Sequence, residues 1–220
     1  MSAAAMGKPA PRRGRPPQMP PAERERVILD AAERVLLDRG LQGITMDAIA
    51  REAGMSKRTL YAVFDGRAAL FPALVRRLRE GFVAPLTPAQ GALPLAERLR
   101  LLLAADRLPP GGSVALEVMR AAIAEAPRQP DLARTMLEEG PRAVRRLIRA
   151  ELDRGVARGE VSIADTDAAA ALLHAMALPC PLDKLLDVGA PREAPETARA
   201  RVDRAIAVLL RGLGAAAGPV

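Results

Sequence analysis

Apolar residues recur along this chain at the spacing of helical faces, with no convincing run of the strict alternation that marks a half-buried strand. From about Ala22 to Arg39, the residues Ile28, Ala31, Ala32, Val35 and Leu36 fall at i, i+3, i+4, i+7 and i+8, and Gly40 is placed to end that helix. Thr45 is placed to cap a second helix, with Asp47 in its first turn and Ile49, Ala50 and Ala53 inward. Gly54 ends it, and Ser56 can cap a third helix over roughly Lys57 to Phe64. Asp65 is expected to cap a fourth, with the stripe Leu70, Phe71, Leu74 and Leu78. Further helices are predicted at about 95–106, 113–126, 131–158, 165–178 and 196–213, with one turn over Leu182 to Val188. Prolines and glycines punctuate them, and Pro141 is placed to break or kink the long one. The fold predicted is all-α: an N-terminal three-helix helix-turn-helix domain followed by a larger helical domain.

Residues 45–64 carry the chemistry. Two short helices flank Ala53 to Ser56, a turn tight enough to set them at a steep angle. The third helix is too short to stand alone, so Leu60, Val63 and Phe64 must pack inward. That leaves Lys57, Arg58, Tyr61 and Ala62 on the opposite face, with Thr59 at its edge. A helix shown in this way suits the DNA major groove, which is read from the helix's N-terminal residues. Arg58 is the candidate for a guanine edge, because its fork can make a bidentate pair there. Lys57, Thr59 and Tyr61 suit phosphates, and Ala62 suits a thymine methyl. A hairpin whose cations are merely solvated is the bland alternative.

Charge strengthens the DNA reading. Of the net +7, residues 1–82 hold fifteen Lys and Arg against nine Asp and Glu, and residues 83–220 hold eighteen against seventeen. A basic end on a nearly neutral remainder implies a polyanionic partner at that end. Residues 1–21 are rich in Pro, Gly and Arg and predict a disordered basic arm. Within it, Arg12-Arg13-Gly14-Arg15-Pro16-Pro17 resembles an AT-hook core, so Arg13 and Arg15 suit a narrow A·T minor groove, unless the arm only aids solubility. The start has no apolar signal region, and no apolar stretch is long enough to span a bilayer, so a cytoplasmic protein without a membrane partner is expected.

One cysteine, Cys180, and one histidine, His174, are too few for an internal disulfide or a zinc cluster. No structural metal, no cofactor and no enzymatic role are expected. His174 reads as a packed or interfacial histidine rather than a sensor, and Cys180 as a buried or inert thiol rather than a redox switch. The rival functions are a small helical enzyme using those two residues and an architectural DNA protein using the arm.

The run Gly43 to Phe71, GITMDAIAREAGMSKRTLYAVFDGRAALF, resembles the signature of the TetR (tetracycline repressor-like) regulators. The matching elements are Gly-x-Thr before the second helix, Ile-Ala-x-x-Ala-Gly-x-Ser through the turn, Thr-Leu-Tyr-x-x-Phe in the third helix, and a basic residue with Ala-Leu-Phe opening the fourth. The likeness covers roughly 22–82. It implies a dimeric all-α repressor: a DNA-binding domain at 22–82 and a ligand-sensing and dimerisation domain at 83–220. By position, Thr45, Lys57, Thr59, Tyr61 and Arg67 would contact the DNA backbone, and Arg58 and Ala62 would face the bases. Ala62-Val63 and Asp65-Gly66 depart from the usual pairs at those places.

In the second domain, Leu102, Leu103, Val118, Met119, Ile123, Met136, Leu137 and Leu147 are the expected lining of a pocket for a small apolar effector, with plain core as the alternative. All four aromatics, Tyr61, Phe64, Phe71 and Phe82, lie before residue 83, so an aromatic cage for a quaternary cation is excluded there. Ala169, Leu172, Leu173, Met176, Val202, Ile206, Leu209, Leu210 and Leu213 are the expected homodimer interface, because the resemblance places the last two helices in a four-helix contact.

Overall fold

The local signals that cap and break helices set this architecture. A computed structural model describes residues 19–104, 114–178, 180–187 and 193–214, and among them the regular structure is helical, without a strand. Helix α1 (Pro21–Arg39) starts with Pro at its first position and ends on Gly40, whose φ of 64° suits only a residue without a Cβ. Helix α2 (Met46–Glu52) is capped by Thr45, whose side chain accepts the Ala48 N–H at 3.1 Å. It closes with the Met55 N–H on the Ala50 carbonyl at 2.9 Å around Gly54, φ 63°, in the Schellman manner. Helix α3 (Lys57–Tyr61) is capped by Ser56, whose Oγ accepts the Thr59 N–H at 3.1 Å.

Helix α4 (Arg67–Glu80) corrects an expectation. Its N-cap is Gly66, with φ 86° and no side-chain cap bond, and Asp65 stays exposed. The remaining helices are α5 (Leu95–Leu102), α6 (Val114–Glu125), α7 (Pro130–Leu137), α8 (Ala143–Ala157), α9 (Thr166–Ala177), α10 (Pro181–Leu186) and α11 (Pro195–Gly214). The long helix predicted over 131–158 is therefore two, joined by a π turn at Glu138–Arg142. Gly140 there leaves helical geometry (φ −94°, ψ −108°), and Pro141 has no N–H to continue the ladder.

Two cores form, and they do not divide at residue 82. The first gathers Ile28, Leu36, Ile49, Leu60, Leu70 and Leu74 from α1 to α4, but also Val118 of α6, with Leu132 and Met136 of α7 packed against it. The second joins Val83 to α5, α8, α9 and α11 through Leu99, Ile148, Leu173 and Ile206. Within it Arg98 is wholly buried, 0% exposed. Its Nε donates to Glu151 Oε2 at 2.8 Å, its Nη2 to Glu160 Oε2 at 2.9 Å, and its Nη1 to the Leu93 carbonyl at 2.6 Å. Arg154 adds bonds of 2.8 and 2.9 Å to the same Glu151.

Helix α4 is tied on two sides. Arg77 pairs with Asp30 and, at 2.9 Å, with Glu33 of α1. Arg76 pairs with Glu139 of the π turn at 3.3 Å.

Candidate nucleic-acid interface

The turn between α2 and α3 decides which side chains reach outward. Leu60 is fully buried and Phe64 nearly so, which pins the inner side of α3 against the first core. Lys57, Arg58, Tyr61 and Ala62 are exposed, and Tyr61 keeps 50% of its surface open, so the structure brings these four to one solvent-facing side. Thr59 is half-buried, and its Oγ1 lies 2.8 Å from Ser56 Oγ. The α3 helix ends at Tyr61 rather than Phe64, because the Val63 N–H turns to the Leu60 carbonyl three residues back and so breaks the i→i−4 ladder.

Electrostatically this side is only partly compensated. Lys57 Nζ donates to Asp47 Oδ2 at 2.6 Å, joining α3 to α2. Both groups are exposed, so the pair is weak enough to give way to a phosphate. Arg58, and Arg51 at the end of α2, have no carboxylate partner among the described residues. Sequence reasoning did not single out Arg51; the structure shows it exposed on α2. Thr45 is exposed, with its hydroxyl engaged in the cap. Arg67 is half-buried and bends back, its Nη2 donating to the Leu41 carbonyl at 3.4 Å. Arg13 and Arg15 lie outside the described residues.

The residues expected to line one effector pocket are dispersed. Leu102 and Leu103 are buried in the second core, with Leu147 packed against it. Val118 and Met136 belong to the first core, and Met119 is half-buried. Ile123 and Leu137 face solvent, 59% and 46% exposed. Periodicity marked these residues as apolar faces but could not say which core each face meets.

The expected dimer residues also split. Ala169, Leu173, Val202, Ile206 and Leu209 are buried within the subunit's own core. Leu172 is 56% exposed, Met176 and Leu210 are half-buried, and the side chain of Leu213 lies outside the described residues. Val208 of α11, which the sequence reading passed over, is 54% exposed. His174 is half-buried on α9, and burial together with the nearby Arg145 charge holds its pKa below the ordinary value. Cys180 is exposed, which removes the buried half of the expectation of a buried or inert thiol. No helix among the described residues is long and apolar enough to cross a membrane.

Comparison with known proteins gives two family matches. Residues 28–74 match the bacterial regulatory proteins of the tetR family, and residues 112–214 match the C-terminal domain of AefR-like transcriptional repressors. An uncharacterized HTH-type transcriptional regulator of Mycobacterium tuberculosis is 52% identical over 50 residues, 23% of this chain and 25% of that protein. The HTH-type transcriptional activator FasR of Mycolicibacterium smegmatis is 36% identical over 72 residues, 33% of each chain. The chain thus matches only a quarter to a third of the length of these curated relatives. Likeness to solved structures is longer. A TetR transcriptional regulator from Agrobacterium tumefaciens shares 27% identity with a TM-score of 0.65, over 87% of this chain and 94% of the other. The flavonoid-responsive regulator FrrA shares 25% identity with a TM-score of 0.62, over 89% and 100%.

Proposed function

The chain belongs to the TetR family of transcriptional regulators, and on that premise we propose that it is a sequence-specific repressor that binds operator DNA as a homodimer and lets go when a small effector binds. The observation that carries this reading is the outward side of α3, where Lys57, Arg58, Tyr61 and Ala62 are exposed beside a cap that fixes the helix, with Lys57 held only by its exposed pair with Asp47. Arg58 reads a guanine edge, Ala62 meets a thymine methyl, and Thr45, Lys57, Thr59 and Tyr61 grip phosphates. Arg67 joins them once it leaves the Leu41 carbonyl. Arg13 and Arg15 add salt-sensitive affinity from the minor groove.

Repression rather than activation is favoured by the C-terminal match over residues 112–214, whose description is that of a repressor. The likeness to the activator FasR covers only 72 residues. Dimerisation through α9 and α11 is supported by the exposed Leu172 and Val208, which lie beside each subunit's own core. Effector control is a population shift: a ligand lowers operator affinity only by its differential affinity for the non-binding arrangement. Helix α4, tied to α1 by Arg77 and to the π turn by Arg76, is the lever between the two cores. A DNA partner puts the protein at work in the cytoplasm, and no catalytic role is assigned to His174 or Cys180.

The test is a footprint on the DNA flanking the protein's own gene, with Arg58→Ala and a variant lacking residues 1–21 beside it. A discrete two-fold symmetric site that fades with Arg58→Ala supports the reading. Diffuse protection lost only with the arm refutes it in favour of an architectural role.

A further inference from the structure

Between the first turns of α4 and the start of α7 the surface opens into a cleft of about 440 Å³, within the range of small-molecule sites. Its apolar lining includes Phe71, Pro72 and Leu132, and its cations are Arg67 and Arg128. We propose that this cleft binds a small amphiphilic carboxylate, its head on Arg67 and Arg128 and its hydrocarbon body on Phe71, Pro72 and Leu132.

Charge accounting argues for an anion. Farther along α4, Arg76, Arg77 and Arg79 each have a carboxylate partner. Arg67 and Arg128 have none among the described residues. Arg67 Nε is buried without an acceptor there, and the one bond of its guanidinium, to the Leu41 carbonyl, is long at 3.4 Å. A guanidinium carries five donors, and leaving one buried and unmade is costly. Asp131, the acid among the lining residues, faces solvent and is taken by Arg134 at 2.9 Å. The cleft therefore presents two uncompensated positive charges over hydrocarbon, which fits a carboxylate with an alkyl or aryl body better than a neutral molecule or a bare inorganic anion.

The site lies against the first core, where α7 packs on α4, not inside the second one. Resting on the operator reading, it also assigns the regulation: Arg67 is a proposed phosphate contact, so a bound carboxylate and DNA compete for one guanidinium. The coupling is reciprocal, and operator DNA must weaken the carboxylate by the same factor.

Decanoate is the probe, titrated by calorimetry into the full-length chain, with decanol as its neutral counterpart and inorganic phosphate as the bare anion. Arg67→Gln and Arg128→Gln remove the charges; Ala68→Trp fills the cleft from an exposed position and leaves the charges in place. Saturable decanoate binding is expected, weakened about tenfold or more by either glutamine variant, as loss of a charge-assisted bond implies. Ala68→Trp is expected to abolish it, with the melting curves of all three variants retained. No saturable binding at millimolar decanoate, or binding that all three folded variants keep unchanged, overturns the assignment. So does decanol or phosphate binding as tightly as decanoate. A footprint without decanoate binding refutes the cleft alone; decanoate binding without a footprint refutes the operator reading alone.

Discussion

Replacing Arg98 by Met removes the charged centre of the second core at nearly constant volume. Arg98 is 0% exposed and Glu151 only 8%, so the lost partners are not replaced by water. Burial opposes the Arg98 charge, but the hydrogen bonds and charges of Glu160 and Glu151 more than offset it and raise its pKa, so the side chain stays ionised in the fold. Breaking a buried pair from one side costs about 3–5 kcal/mol. Arg154 still holds Glu151 at 2.8 Å, which moves the expectation to the low end, about 3 kcal/mol. For a chain of this size that is a fall in Tm of roughly 6–12 °C, read by circular dichroism at one fixed protein concentration. The pair Arg98→Met with Glu151→Leu leaves neither charge stranded, and its loss must be smaller than the sum of the single losses by more than about 1 kcal/mol. An Arg98→Met protein that melts within about 2 °C of wild type, or an additive double variant, refutes the reasoning.

Three other outcomes are expected. Ser56→Ala removes the cap of a helix of five residues. It should cost about 1 kcal/mol and roughly fivefold in operator affinity by anisotropy, with Ser56→Thr restoring most of both. His174 has a folded pKa below the ordinary histidine value of about 6.5, so the unfolded chain takes up the proton first as pH falls. Stability from this residue is complete above that value and declines below it toward the lower folded pKa; thermal melts should show a shallower acid loss for His174→Gln than for wild type. Leu172→Glu and Val208→Glu place charge on exposed positions of α9 and α11, and light scattering should show a monomer that keeps its helical spectrum.

What could be read from the sequence was whatever is decided within a few residues. Thr45, Ser56, Gly40 and Gly54 act through caps and turns with partners no more than about a turn away, so their roles follow from type and order. Asp65 failed by the same logic. It competes with Gly66, whose positive φ makes the corner that Asp65 cannot. The outward side of α3 was legible because Leu60 and Phe64 fix its inside. Arg98 was missed although Leu95, Arg98, Leu99 and Leu102 share one helical face, since an arginine on an apolar stripe signals burial only when its acids are known. Glu151 and Glu160 lie 53 and 62 residues away in sequence. The cleft was illegible for the same reason: Arg67 and Arg128 meet only through the packing of α7 on α4.

That packing has a consequence for how such chains can be recombined. The DNA-reading head does not own its whole core, because Val118, Leu132 and Met136 from beyond residue 82 complete it. A fragment ending at residue 82 would leave the apolar side that meets Val118 bare to water, and a chimera carrying this head on a foreign sensor would inherit a mismatched plug. Exchange of sensing parts should succeed only when the graft brings the α6 and α7 segments along with the head, so the portable unit is spatial and the seam in the chain is not where it can be cut.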